Sequence, residues 1–255
     1  MFALHFPPLG HIVDWPGFAG TEGAWYEVNK VVLVYLFALI LTCLIFVLGN
    51  KKQLVPTGAQ NLAEISVEFI DQQLIEPTVG HNERKWLPPF MLSLFFFIFF
   101  TNIFEVVPVI QMPANARIAL PMFLALFSYV IYHGSGFKEH GPIGYLKHAV
   151  VPPGVPKAML PLVMVIEFVS KFLVQPFSHT VRLFANLLAG HILLVTFAVL
   201  SAGLWTTEWY AVFLPLPAFA VVFFTAFEIM VSFLQAYVFT LLFGVYFGAA
   251  VSHEH

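Results

Sequence analysis

The stretch AFAVVFFTAFEIMVSFLQAYVFTLLFGVYFGAA, residues 218–250, decides the fold. It runs 33 residues without a proline, and its only charged residue is Glu228. At 1.5 Å per residue, one helix of this length is about 50 Å long, against about 30 Å of bilayer hydrocarbon. A single helix must tilt by roughly 50°, beyond the usual 0–40°. The alternative is a break near Gly244 or Gly248. Glycine is well tolerated in membrane helices, which favours the long tilted helix. Gly244-x-x-x-Gly248 also matches, weakly, a helix-packing pattern.

The rest of the chain agrees with a membrane setting. Of 255 residues, 60% are hydrophobic and 10% charged, against about 45–50% and about 25% in soluble domains. The mean hydropathy is +0.86. The fold class expected is an all-α integral membrane protein. Eleven Lys+Arg against 14 Asp+Glu give a net charge of −3, with no basic face for a nucleic acid. The single cysteine, Cys43, sits in an apolar run, which excludes a disulfide scaffold. No basic residue precedes Lys30, so a cleavable signal peptide is not expected.

A second long apolar stretch, about 158–203, precedes the first and is joined to it by a Trp/Thr/Glu link at 205–210. Pro176 and Gly190 offer breaks within it. Upstream, 31–48, 87–110 and 119–132 read as spans, giving about five crossings. Residues 133–157, rich in Gly, Pro, His and Lys, read as a loop. In 53–86, Leu62, Ile65, Phe69 and Leu74 alternate with Glu64, Glu68, Asp71, Gln72 and Gln73. That period predicts an amphipathic helix on the membrane surface, or a small soluble helix between spans. Residues 1–30 read as a separate segment with interfacial Trp15, Trp25 and Tyr26. Residues 31–255 read as one helical domain ending in a hairpin of about 158–250. Lys51, Lys52, Arg84 and Lys85 mark one cytoplasmic segment, and Lys138, Lys147 and Lys157 another. The N-terminus is then outside and residues 253–255 inside.

Polar residues inside apolar stretches carry the functional signal. After residue 160 the only basic residues are Lys171 and Arg182. An arginine within a bilayer costs about 2.5–3.5 kcal/mol on the insertion scale and keeps its charge, so it needs an anionic or strongly polar partner. Ser178, Arg182 and Asn186 are spaced by four and share one helix face. His191, nine residues past Arg182, falls on the opposite face. The last stretch carries Glu228, Ser232, Gln235 and Tyr246 in one stripe. Across antiparallel helices Glu228 and His191 can approach, and an acid beside an imidazole makes a proton relay. A lone histidine, though, packs into a core as readily as it relays. Asn102 and Glu105 add polar groups in the 87–110 span, where Glu105 can also serve as an interfacial anchor. Glu167 and Lys171, spaced i,i+4, fit an intrahelical pair.

No glycine-rich phosphate loop, HExxH or GxSxG is present, and His133, His140, His148 and His179 lack metal-ligand spacing. No cofactor and no metal are expected. A stand-alone channel or secondary transporter stays open as a second reading and predicts an internal repeat. An intramembrane enzyme is a third.

Residues 176–191, with Arg182-Leu-Phe-x-Asn186-x-x-x-Gly190, resemble the subunit a family of the F-type ATP synthases. Gln235-Ala236 and Asn102-x-x-Glu105-x-x-Pro108 extend the resemblance, which covers most of the chain from Leu54 onward. The resemblance implies a non-catalytic stator subunit beside a rotor ring of c subunits, with peripheral-stalk b subunits as further partners, in a bacterial plasma membrane. It implies that Arg182 faces the rotor carboxylate, with Asn186 one turn on and Gln235 near the arginine. His191 and Glu228 match a family pair with acid and imidazole exchanged. Asn102 and Glu105 go with an outer proton channel, Ser232 with proton translocation, and Ser178, His179 and Glu167 with a cytoplasmic half-channel. Around Glu167 the alignment slips by one residue. The family's last two helices are steeply tilted against the ring.

Overall fold

A computed structural model describes residues 29–49, 58–80, 84–107, 110–112, 114–151, 154–206 and 209–252. The expectations for residues 1–28, for Lys51 and Lys52 and for residues 253–255 lie outside the described residues. Among those described, regular structure is entirely helical. Helix α1 is Lys30–Gly49. The Val32 N–H donates to Asn29 Oδ1 at 3.1 Å, so Asn29 caps its start. Then come α2 (Ala59–Ile70), α3 (Glu76–Val79), α4 (Leu87–Ile103), α5 (Ala119–His140) and α6 (Pro142–Val150). The last long stretches are α7 (Leu160–Val169), α8 (Gln175–Leu204) and α9 (Pro215–Val251). Four stretches are long and apolar enough to cross a membrane: Lys30–Val47, Ala119–His140, Leu160–Leu204 and Ala211–Val251. The shorter apolar α4 makes the expected fifth.

The long helices are unbroken. The 37 residues of α9 pass through Gly244 and Gly248 without interruption. At Pro176 the chain does not break either. One wider, i→i+5 turn at Ser170–Val174 joins α7 to α8, and the Gln175 N–H donates to Ser170 O. A proline lacks an N–H and its ring collides with the carbonyl four residues back. Opening the turn just ahead of it relieves that collision. The same device recurs at Asp71–Ile75, two residues before Pro77, where Glu76 N–H donates to Asp71 O. The other helical prolines sit in first turns, as Pro142, Pro161 and Pro215 do, where a missing N–H is harmless.

Several expectations need correction. Helix α4 stops at Ile103, so Glu105 lies in the turn beyond it and not inside a span to 110. Pro108 ahead disfavours helical backbone in the residue before it. Helix α5 runs to His140, eight residues beyond 132, and stops at Gly141, whose φ of 72° suits glycine. Residues 142–150, read as loop, form α6. On α2, Leu62 and Ile65 are exposed, while Gln60, Ala63, Ile70 and, in the wide turn, Leu74 are buried.

The described helices form two compact units. One comprises the described residues up to Leu44 with those of Phe96–Arg117 and Phe184–Ala236. Its core sets Val31, Val34 and Ala38 against Phe104, Met112 and Ala114. Tyr35 Oη donates to Ala114 O at 2.6 Å. The other comprises the described residues of Ile45–Phe95 and Ile118–Leu183 and those from Tyr237 onward. There Phe90 packs on Phe243 at 5.0 Å and Trp86 edge-on to Phe247 at 5.5 Å. Gly244 and Gly248 abut Thr78, so the small-residue pattern does serve close packing. Outward faces carry Ile40, Leu162, Phe177, Phe219 and Phe223, as a hydrocarbon solvent requires.

Candidate functional site

In the first unit, the turn after α4 places a polar group that α8 and α9 complete. Asn102, on the last turn of α4, is fully buried. Its Oδ1 accepts from Asn115 Nδ2 at 2.7 Å, and the same amide donates to Thr101 Oγ1 at 2.8 Å. That fixes the Asn102 amide, whose Nδ2 is buried and meets no hydrogen-bonding partner among the described residues. The Glu105 N–H donates to Asn102 O at 3.1 Å, which closes the turn. Glu105 Oε1 then lies 3.2 Å from His191 Nδ1 on α8, an ion pair whenever the imidazole is protonated. Side-chain exposures are 1% for Glu105 and 10% for His191, so water screens the pair little.

Glu228 enters from α9. Its carboxyl lies against Gly190, beside His191 in sequence, so closely that a Cβ there would collide with both carboxyl oxygens. The charges of Glu105 and Glu228 act on one another. His191 thus meets Glu105 at 3.2 Å, and Glu228, lodged on the neighbouring Gly190, adds a second carboxyl to make an acid–imidazole–acid group. Ser232 and Gln235, both buried, continue the stripe along α9. Each member of such a set can hold or release a proton.

In the second unit, Arg182 is half-buried on α8. Its charge acts on His179 and Tyr246. His179 is buried with its ring 4.7 Å from Phe239 and 5.4 Å from Tyr246. Along α8, His179, Leu183, Leu187 and His191 are buried, while Ser178, Arg182 and Asn186 are half-buried or exposed. The two faces read from spacing are thus distinct, and Asn186 stands outside the buried group. Glu167 Oε2 is 3.1 Å from Lys171 Nζ, the i,i+4 pair expected. Sequence reasoning missed Asn115, Thr101 and the necessity of Gly190. A lone asparagine in the apolar link between two spans was the available signal for Asn115.

Helices of this length and apolarity, with two carboxylates and an imidazole buried among them, define a polytopic membrane protein. The family model for the ATP synthase A chain matches residues 31–248. ATP synthase subunit a of Rhodococcus erythropolis is 36% identical over 234 residues, covering 90% of this chain and 85% of that one. Subunit a of a Nocardioides species is 36% identical over 261 residues, covering 98% and 94%. That of Streptomyces lividans is 36% identical over 258 residues, covering 98% and 88%. The chain belongs to the ATP synthase A chain family. It is a non-catalytic, multi-pass membrane subunit of a proton-translocating ATP synthase.

Proposed function

We propose that this chain forms two offset half-channels for protons, separated by Arg182, beside a ring of c subunits, with b subunits as stator partners. The observation that carries the reading is the buried Glu105–His191 contact with Glu228 lodged on Gly190. A proton enters from outside near Asn102 and Glu105. It passes through His191 and Glu228, with Ser232 and Gln235 continuing the polar stripe, to a rotor carboxylate. The neutral carboxyl then faces lipid and the ring turns. The proton leaves toward the cytoplasm through a path that includes Ser178, His179 and Glu167. Orientation follows the basic segments, with the N-terminus outside and the C-terminus inside.

Arg182 does two things. Its fixed charge favours the ionised rotor carboxylate on arrival. It also repels a proton from crossing directly between half-channels. Each proton crossing 100 mV releases about 2.3 kcal/mol, which turns the ring only if that leak is blocked. Asn186, exposed one turn on, faces the same partner. In vesicles carrying the assembled complex, Arg182→Ala abolishes ATP-driven pumping and proton-driven synthesis and opens a passive leak. Coupled pumping near the normal rate in that variant refutes the reading.

A further inference from the structure

We propose that His133 and the small cavity it faces form a hydrated proton relay on the exit side, with His133 as its proton-carrying residue. The inference rests on the half-channel reading and adds a group that the reading does not contain.

His133 on α5 is 5% exposed. Its ring stacks on Phe172 at 4.9 Å and touches Tyr129 and Tyr132 of its own helix at 4.1 and 4.6 Å. Nδ1 is 2.7 Å from Tyr145 Oη on α6. Nε2 is buried and meets no hydrogen-bonding partner among the described residues. The residue lines a cavity of about 40 Å³ shared with Tyr132, His148, Lys171, Gln175 and Tyr246. Ala149, Ala249 and Ala250 leave that space open. A water occupies roughly 10–15 Å³ measured this way, so the cavity has room for about three. A buried ring nitrogen needs a partner, and water in a polar cavity supplies it.

The location gives the cavity two ends. At one, Tyr246 lies 5.8 Å from Tyr132 and 5.4 Å from His179, ring to ring, and the charge of Arg182 acts on it. At the other, Lys171 Nζ donates to Ala149 O at 2.7 Å and pairs with Glu167, its side chain 33% exposed. Tyr132 Oη donates to Gln175 Oε1 at 3.4 Å, closing one wall. The path from the arginine to the rim thus runs past His133. With Nδ1–H donating to Tyr145 Oη, Nε2 takes a proton from one cavity water and returns it to another. Its stacked ring stays in place while this happens. Burial pushes the Tyr145 phenol up to about 12, so Tyr145 orients the ring through its hydroxyl and does not ionise near neutral pH. The ionisable groups facing His133 are Tyr129 and Tyr132 from α5, Tyr145 and His148 from α6, Lys171 with Glu167 from the α7–α8 segment, and Tyr246 from α9.

The test uses the whole complex in vesicles, with ATP-driven proton uptake measured against pH and rotor-ring copurification as the check on assembly. His133→Ala and the better-filling His133→Gln slow transport about tenfold or more and alter its pH profile. Added imidazole restores rate to His133→Ala and not to His133→Phe, where the ring fills the site. Wild-type rates and pH profile in assembled His133→Gln overturn the relay. So does a slowed His133→Ala that imidazole leaves unrestored. If Arg182→Ala meanwhile abolishes coupling, the half-channel reading survives that failure; if it does not, the reading itself has failed.

Discussion

Gly190→Ala is the sharpest test of the buried acid–imidazole–acid group. The added methyl occupies the place of the Glu228 carboxyl, colliding with both oxygens. Ordinary contact needs about 3.5 Å, so the nearer carboxyl oxygen must retreat by roughly 1.5 Å. Overpacking of this kind costs about 1–3 kcal/mol. A misplacement of about 1 Å at a reacting group costs up to about a hundredfold in rate. Two readouts therefore separate. Thermal denaturation of the solubilised complex reports the modest packing cost. ATP-driven proton uptake in vesicles reports the position of the carboxyl and falls about ten- to a hundredfold. Glu228→Asp shortens the side chain by one methylene and makes room for the methyl. Combined with Gly190→Ala it restores part of the transport, a positive coupling in the double-mutant cycle. Full transport in assembled Gly190→Ala, or strict additivity of the two changes, refutes the argument that Glu228 works from this position.

Asn115→Ala withdraws the amide that holds both Asn102 Oδ1 and Thr101 Oγ1. Because these oxygens are buried, the loss is about 1–3 kcal/mol in denaturation of the complex, and an unchanged midpoint contradicts the network. Gly244→Ala and Gly248→Ala both crowd Thr78, yet for different reasons. At Gly244 the methyl meets Thr78 Oγ1, at Gly248 the Thr78 carbonyl. Each lowers the yield of assembled complex; Thr78→Ala rescues Gly244→Ala and leaves Gly248→Ala impaired, because a carbonyl cannot be trimmed. Equal rescue of both overturns the assigned contacts.

The membrane class, the five apolar helices and the polar positions were legible because burial of charge in hydrocarbon is so costly that few residues appear there without cause. Helix boundaries were less so. The end of α4 depends on a proline several residues ahead, and α5 continues through Gly134 and Gly136, which a local propensity reading counts as breakers. Tyr145 explains Gly136, since its ring occupies the space a Cβ would take. On α2 the buried positions include Gln60 and Ala63, a polar and a small residue that an apolar-period reading does not count as inward. Partner choice was unreadable too. Spacing brings Glu228 near His191, but only the turn after α4 shows that Glu105 reaches the imidazole.

The two wide turns bear on why the residues before Arg182 take the form they do. Prolines 77 and 176 each lie two residues past such a turn. In a membrane every freed backbone group must find a partner, and the i→i+5 bond supplies one without ending the helix. The Ser170–Val174 turn also changes the register of the helix downstream. It sets Lys171 toward Ala149 and Glu167, while α8 begins with His179 inward and Arg182 on the more open face. A straight α-helix through this segment turns about 100° per residue, so one extra residue in a turn rotates everything downstream by about that angle.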